Sequence, residues 1–159
     1  MSEQPFTHLD PAGQARMVDV TGKPVTVRTA TAEGLVTCPA SVVALLRDQR
    51  IPKGDVAAVA RIAGIAAAKR TPELLPLAHV IGVHAVEVEV VVVDEGVRLQ
   101  ATVRAADRTG VEMEALTAVA VAALAVVDMV KGVDKNVEIA HVRLLSKSGG
   151  RSGEWRRRP

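Results

Sequence analysis

Glu112 and Glu114 stand two residues apart at the head of a stretch that is otherwise almost wholly Ala, Val, Leu and Met, and Asp128 and Lys131 stand three apart near its far end. Ionisable side chains placed where water is scarce cost stability and take shifted pKa values, which is the condition for general acid and base work. Each also has a plainer explanation. Thr109-Gly-Val-Glu112 matches a capping box, with the glutamate reaching back to the N-cap amide. Glu114 suits the positive end of a helix dipole, and Asp128 with Lys131 could be an ordinary ion pair on a solvated face. That last explanation is the weaker one, because the turns before it are apolar and would place the pair in a buried or interfacial position.

Other cations are set near helix ends. Lys53-Gly-Asp55 puts a lysine ahead of a helix N-terminus, where backbone amides and an ammonium together meet a phosphate. Lys69 and Arg70 close the same helix, and Arg61, eight residues before Lys69, lies nearly on one face with it, so a cationic ridge is open alongside plain solvation. His79, in Leu-Pro-Leu-Ala-His, has no companion at metal-ligand spacing. Gly149-Gly-Arg-Ser-Gly153 lacks the spacing of a phosphate-binding P-loop, and zinc-protease, nucleophile-elbow and dinucleotide signatures are absent.

The elements that must position these groups follow from periodicity. Residues 1–24 hold Pro5, Pro11, Gly13, Gly22 and Pro24 with no sustained period, and read as a mobile arm. A strand is expected over Val25 to Val36, a short helix from Ser41 through Leu46, and a longer helix from Val56 to about Arg70 with Asp55 as N-cap. Thr71-Pro72 ends that helix and starts a further turn. Ala85 to Val93 alternates Val with Glu, Asp94-Glu-Gly96 turns, and Val97 to Arg104 returns. Pairing Val88 with Val103 and Glu87 with Arg104 keeps every apolar side chain on one face. A helix from Val111 to Val130, apolar nearly all round, must be covered on more than one side. A last strand, Val137 to Leu145, precedes a Gly-rich basic tail. The order defines an α+β fold of ferredoxin-like type, a four-stranded antiparallel sheet with helices on one face. One catalytic domain over residues 25–146 is expected between the arm and the tail at 147–159.

Composition narrows the partners. Of the net charge of +2, the residues from Lys147 onward hold +4, leaving −2 on the rest. With Phe6 and Trp155 as the only aromatics, there is neither a basic face nor a stacking platform for nucleic acid. No uninterrupted apolar run reaches the roughly 18 residues of a membrane span. Cys38 is the only cysteine, which excludes an internal disulfide and a thiolate metal cluster. These features lead to the expectation of a cytoplasmic protein that binds neither nucleic acid nor membrane.

Read as words, Met17-Val-Asp-Val20, Lys53-Gly-Asp-Val56, Ala60-Arg-Ile-Ala-Gly-Ile65, Leu75-Pro-Leu-Ala-His79, Thr109-Gly-Val-Glu-Met-Glu-Ala-Leu-Thr117, Asp128-Met-Val-Lys131 and Lys147-Ser-Gly-Gly-Arg-Ser-Gly153 come in one order. Together they closely resemble the MoaC family of molybdenum cofactor biosynthesis, over about residues 7 to 155. The resemblance implies a ferredoxin-like subunit in a homohexamer, built as a trimer of dimers. It also implies conversion of cyclised dihydro-GTP, made by an upstream radical enzyme, to a cyclic pyranopterin monophosphate with loss of diphosphate. Asp128, Lys131 and Lys53 match the family's catalytic positions. Leu77, Ala78, His79, Glu112, Met113, Glu114, Lys69 and Lys147 match substrate-binding ones. No resident cofactor is implied, although a divalent cation such as magnesium could accompany the triphosphate. The chain departs from the family pattern at Ala78 and Val80, where Cys and Pro usually flank the histidine, and at Val127 and Val130.

Two other classes compete. A noncatalytic nucleotide-binding regulatory module needs the phosphate-binding cations but no acid paired with Lys131, and a structural scaffold that assembles through its apolar helix needs neither.

Overall fold

The computed structural model describes residues 8–158. Nine elements run β1 (Thr26–Thr37), α1 (Ala40–Arg47), α2 (Val56–Lys69), α3 (Thr71–Leu74), β2 (Val83–Val93), β3 (Gly96–Asp107), α4 (Glu112–Val130), β4 (Glu138–Ser148) and β5 (Trp155–Arg156). All strand pairs are antiparallel, in the order β2-β3-β1-β4-β5. The expected α+β architecture is present, with five strands where four were expected. The fifth arises because β4 runs on to Ser148 and the Gly-rich segment turns back, pairing Trp155 with Lys147 on the free edge of β4.

The sheet's inner face carries Ala30, Ala32 and Val36 of β1 and Val97, Leu99, Ala101, Val103 and Ala105 of β3, all buried beneath the helices. Its outer face is polar, with the Thr31 and Thr102 hydroxyls 3.0 Å apart and Arg143 Nε donating to Glu33 at 2.7 Å. The β2–β3 register differs from expectation by two residues. Val88 faces Ala101 and Glu87 faces Thr102, because Asp94 and Glu95 alone form the loop and Gly96 already pairs with Val93. A slip of two leaves each side chain on its own face, so the apolar pattern is satisfied by either register.

Asp55 caps α2 as expected, its carboxylate accepting from Ala58 N at 2.9 Å. The helix runs antiparallel to α4, and small residues bring the two close: Ala60, Gly64, Ala67 and Ala68 of α2 are buried, as are Ala115, Ala118, Ala122 and Ala123 of α4. A Cβ built on Gly64 would lie 2.9 Å from the Ala118 carbonyl oxygen and 3.3 Å from Ala122 Cβ. Gly64→Val should therefore lower stability by about 3 kcal/mol, the upper end for overpacking, read as a reduced urea midpoint; an unchanged midpoint would contradict the packing.

The central helix α4 is the one helix among the described residues that is long and apolar enough to cross a membrane, with mean hydropathy 2.0, yet 56% of that stretch is buried inside the fold. The sheet covers one side and α2 another, which accounts for its near-absence of a polar stripe. A third side remains open. Leu124 of α4 is 58% exposed, and Val59 and Ile62 of α2 are 42% and 68% exposed on the same outer layer.

Candidate active site

The unbroken α4 separates the sequence-predicted residues into two groups, one at each end. Asp128 and Lys131 stand at its C-terminal end with Lys53; Glu112, Met113 and Glu114 stand in its first turn with His79. Fourteen residues at 1.5 Å each put Asp128 about 21 Å from Glu114 along the axis.

At the C-terminal end, Lys131 Nζ lies 2.8 Å from one carboxylate oxygen of Asp128 and Lys53 Nζ 3.2 Å from the other. Lys53 also donates to the Asp128 main-chain carbonyl at 2.7 Å, satisfying one of the last-turn oxygens that a helix leaves without partners. Hydrogen bonds from Lys131 and Lys53, reinforced by their charges, hold the Asp128 carboxyl below the usual carboxylate range. The side chains of Lys53, Asp128 and Lys131 are 45%, 58% and 56% exposed. The expectation of a buried pair is thus corrected for the single chain: the three charges sit at its surface. Asp55 caps the start of α2, and Lys53, just ahead of it, reaches across to the end of α4. A solvated i,i+3 pair needs no third member, and the arrival of Lys53 from a separate element gives the cluster its chemical interest: one carboxylate between two proton donors.

At the N-terminal end, a cleft of about 440 Å³ gathers Leu77, Ala78 and His79 from the loop after α3 with Glu112, Met113 and Glu114. All six were singled out in the sequence, from two segments more than thirty residues apart. His79 Nε2 lies 2.6 Å from the Val18 carbonyl oxygen. A carbonyl can only accept, so Nε2 carries a proton and Nδ1 is left outside that bond.

Glu114 is 2% exposed, and its Oε2 is buried without a hydrogen-bond partner. Burial, aided by the negative charges of Glu112 and Asp107 and opposed by a backbone hydrogen bond and by His79, raises its pKa from 4.5 to about 7. A carboxyl poised near neutrality serves as either donor or acceptor. Because the folded pKa exceeds the unfolded one, the folded state holds the extra proton between pH 4.5 and 7; the associated stability is full below pH 4.5 and disappears as pH rises through 7. Glu114→Gln, which cannot ionise, should match the wild type in acid and exceed it at pH 8 by on the order of 3 kcal/mol. Melting curves from pH 4.5 to 8 test this, and parallel curves for the two proteins would refute it.

The Glu112 capping box is not formed. The helix starts with Val111 as N-cap and no side-chain cap, so Glu112 is its first residue and cannot reach back as a third one would. Its carboxylate folds over Gly110 and lies 3.7 Å from Lys147 Nζ, which also touches the Ser152 hydroxyl. Lys69 is exposed at the end of α2, and the cationic ridge with Arg61 does not form, because Arg61 Nε donates to the Val88 carbonyl at 3.2 Å. Sequence reasoning missed Val18, Val20 and Lys23, which line the cleft from the segment read as a mobile arm; the string Met17-Val-Asp-Val20 was the available signal. Among the described residues, no group of three or more His, Cys, Asp or Glu side chains is placed to hold a metal ion.

This α+β chain, with helices on one sheet face, carries an acid between two lysines at one end of its central helix and a buried carboxyl in a cleft with a histidine at the other. The chain belongs to the MoaC family, whose model matches residues 17–150. It is 60% identical to a protein of Streptomyces coelicolor, over 96% of this chain and 89% of that one. It is 56% identical to one of a Nocardioides species over 99% of both chains, and 53% identical to one of Chloroflexus aurantiacus over 96% and 94%. Each of these relatives is named cyclic pyranopterin monophosphate synthase.

Proposed function

We propose that this protein is an enzyme of molybdenum cofactor biosynthesis that converts cyclised dihydro-GTP to cyclic pyranopterin monophosphate and diphosphate, as a phosphorus-oxygen lyase. The observation that carries the reading is the assembly of Leu77, Ala78, His79, Glu112, Met113 and Glu114 around one cleft, in a chain 53–60% identical to proteins bearing the synthase name. Ring rearrangement needs protons moved on and off carbon and nitrogen. Glu114, His79 Nδ1 and the Lys53–Asp128–Lys131 cluster are groups of the right kind. Closing the cyclic phosphate requires a substrate hydroxyl to attack the α-phosphorus while the bond to the bridging oxygen breaks and diphosphate leaves; cations at Lys147 and the lysine pair offset the charge that develops. Any divalent ion arrives with the triphosphate.

A reaction that uses both ends of α4 has to draw them from two subunits. Glu114 and Asp128 lie nearly four turns apart, about 40° around the axis, and hence on almost one face. A two-fold partner running antiparallel would set one chain's Glu114 end beside the other's Asp128 end. The exposed Val59, Ile62 and Leu124 supply apolar surface for assembly, and a hexamer built as a trimer of dimers is the arrangement that accompanies this reading. The cytoplasm is the matching compartment, since Cys38 has no second cysteine to pair with.

Incubating the purified protein with cyclised dihydro-GTP should yield the pyranopterin product and one equivalent of diphosphate. Tight binding of the substrate without product would favour the regulatory-module reading instead.

A further inference from the structure

Asp107 is the last residue of β3, and both of its carboxylate oxygens are engaged by main-chain amides. Oδ1 accepts from Arg108 N at 2.7 Å and Oδ2 from Gly82 N at 3.3 Å. These amides belong to two of the segments that wall the cleft. Gly82 follows Ile81 in the loop that carries Leu77, Ala78 and His79, while Arg108 precedes Thr109 and Gly110 on the way into α4. One carboxylate thus links both segments. It stands on a firm base, since β3 is paired on both sides and Asp107 itself faces Thr26 of β1.

The loop has few other ties. The β2–β3 ladder passes an irregularity at His84 and ends at the pair of Val83 with Ala105, so regular pairing stops where the loop begins. Beyond that pair side chains take over, with Ala106 N donating to His84 Nδ1 at 3.3 Å. Among the described residues, two hydrogen bonds reach residues 79–82 from outside the loop: His79 Nε2 to the Val18 carbonyl, and Gly82 N to Asp107. Val18 lies in a stretch with no named helix or strand, so Asp107 supplies the one such bond from the sheet. Packing adds little, because Val80 is 87% exposed, Gly82 is exposed, and Ile81 rests only partly buried against the core.

We propose that Asp107 is a positioning residue, whose carboxylate clamps the His79 loop to the entry of α4 and so keeps the cleft in its binding shape before substrate arrives. The inference rests on the reaction proposed above for what that shape serves, but not for the clamp itself. A loop correctly placed only part of the time weakens substrate binding by that fraction, while complexes that do form react as before. Water takes the freed Gly82 amide, which is exposed, so the fold loses little. The Asp107 charge also acts on Glu114, together with Glu112 and His79, and a pair of variants separates that charge from the two bonds.

Asp107→Ala should raise KM for cyclised dihydro-GTP about tenfold with kcat within about twofold of wild type, and should speed hydrogen exchange of residues 78–83 in the substrate-free protein about tenfold. Asp107→Asn removes the same charge but keeps one acceptor oxygen for Gly82, leaving the exposed Arg108 amide to water. Its KM and exchange should stay within about threefold of wild type. If Asp107→Ala fails to fold, Asp107→Ser takes its place with the same expectations, since a serine hydroxyl preserves the turn at Arg108 but is too short to reach Gly82. Unchanged KM or unchanged exchange in the shortened variant overturns the clamp. Equal rises in the shortened and Asn variants also overturn it, because the charge alone would then account for both. Exchange needs no turnover, so the two proposals fail separately. A wild-type protein that forms no pyranopterin overturns the reaction while exchange still decides the clamp; normal turnover with KM and exchange indifferent to Asp107 overturns the clamp alone.

Discussion

Replacing Lys131 or Lys53 by Ala should lower turnover by a factor on the order of 10³, within the range for losing a positioned acid or base, while the melting temperature should stay close to that of the wild type. The two halves of this result come from one geometry. Both lysines converge on the Asp128 carboxylate, at 2.8 and 3.2 Å, so losing either removes a proton donor and frees the carboxylate on one side. All three side chains are about half exposed, and water screens ion pairs of that kind so well that they add little to stability. Lys53→Ala also forfeits the bond to the Asp128 carbonyl, but a helix end in water finds a solvent partner for that oxygen. Steady-state rates with melting curves on the same preparations decide the matter. Wild-type rates in either variant would remove that lysine from the mechanism, and a large drop in melting temperature would make the cluster a structural clasp.

Six residues of the cleft were legible in the sequence, but their bonding was not. Leu77 to His79 and Glu112 to Glu114 carried a recognisable pattern, whereas the hydrogen bond from His79 to Val18 joins residues sixty-one positions apart through a main-chain oxygen that no side-chain pattern announces. Residues 8–24 looked mobile because they lack periodicity. They are organised instead by local bonds, with the Asp10 carboxylate accepting from Ala12 and Gln14 and an isolated bridge between Leu9 and Ala15. The start of α4 at Glu112 rather than just after Thr109 changed the role of Glu112, since a shift of two residues turns a capping position into one facing Lys147. The β2–β3 faces were fixed by alternation, while the register depended on which residues form the loop, Asp94 and Glu95 alone in the structure, and alternation does not report that. The tail misled for a similar reason: glycines mark backbone freedom, and the sequence does not show that a free strand edge on β4 is there to use it. By contrast, the separation of Glu114 from Asp128 needed only a residue count and the helical rise, and the single unbroken α4 bears out that count.

That separation makes sharing of the site between subunits the central claim, and complementation tests it most directly. Glu114→Ala and Asp128→Ala are each expected to be inactive as pure assemblies, because every site then lacks one essential carboxyl. Unfolded together in equal amounts and reassembled, half the two-fold pairs carry one chain of each kind. In such a pair one site combines both lesions, and the other takes Glu114 from one chain and Asp128 from its partner, with neither lesion. The account predicts recovery to about a quarter of wild-type activity, the share of intact sites in random antiparallel pairs, with mixed assemblies verified by mass. Verified mixed assemblies no more active than either parent would contradict it, since a site built within one chain gains nothing from its neighbour.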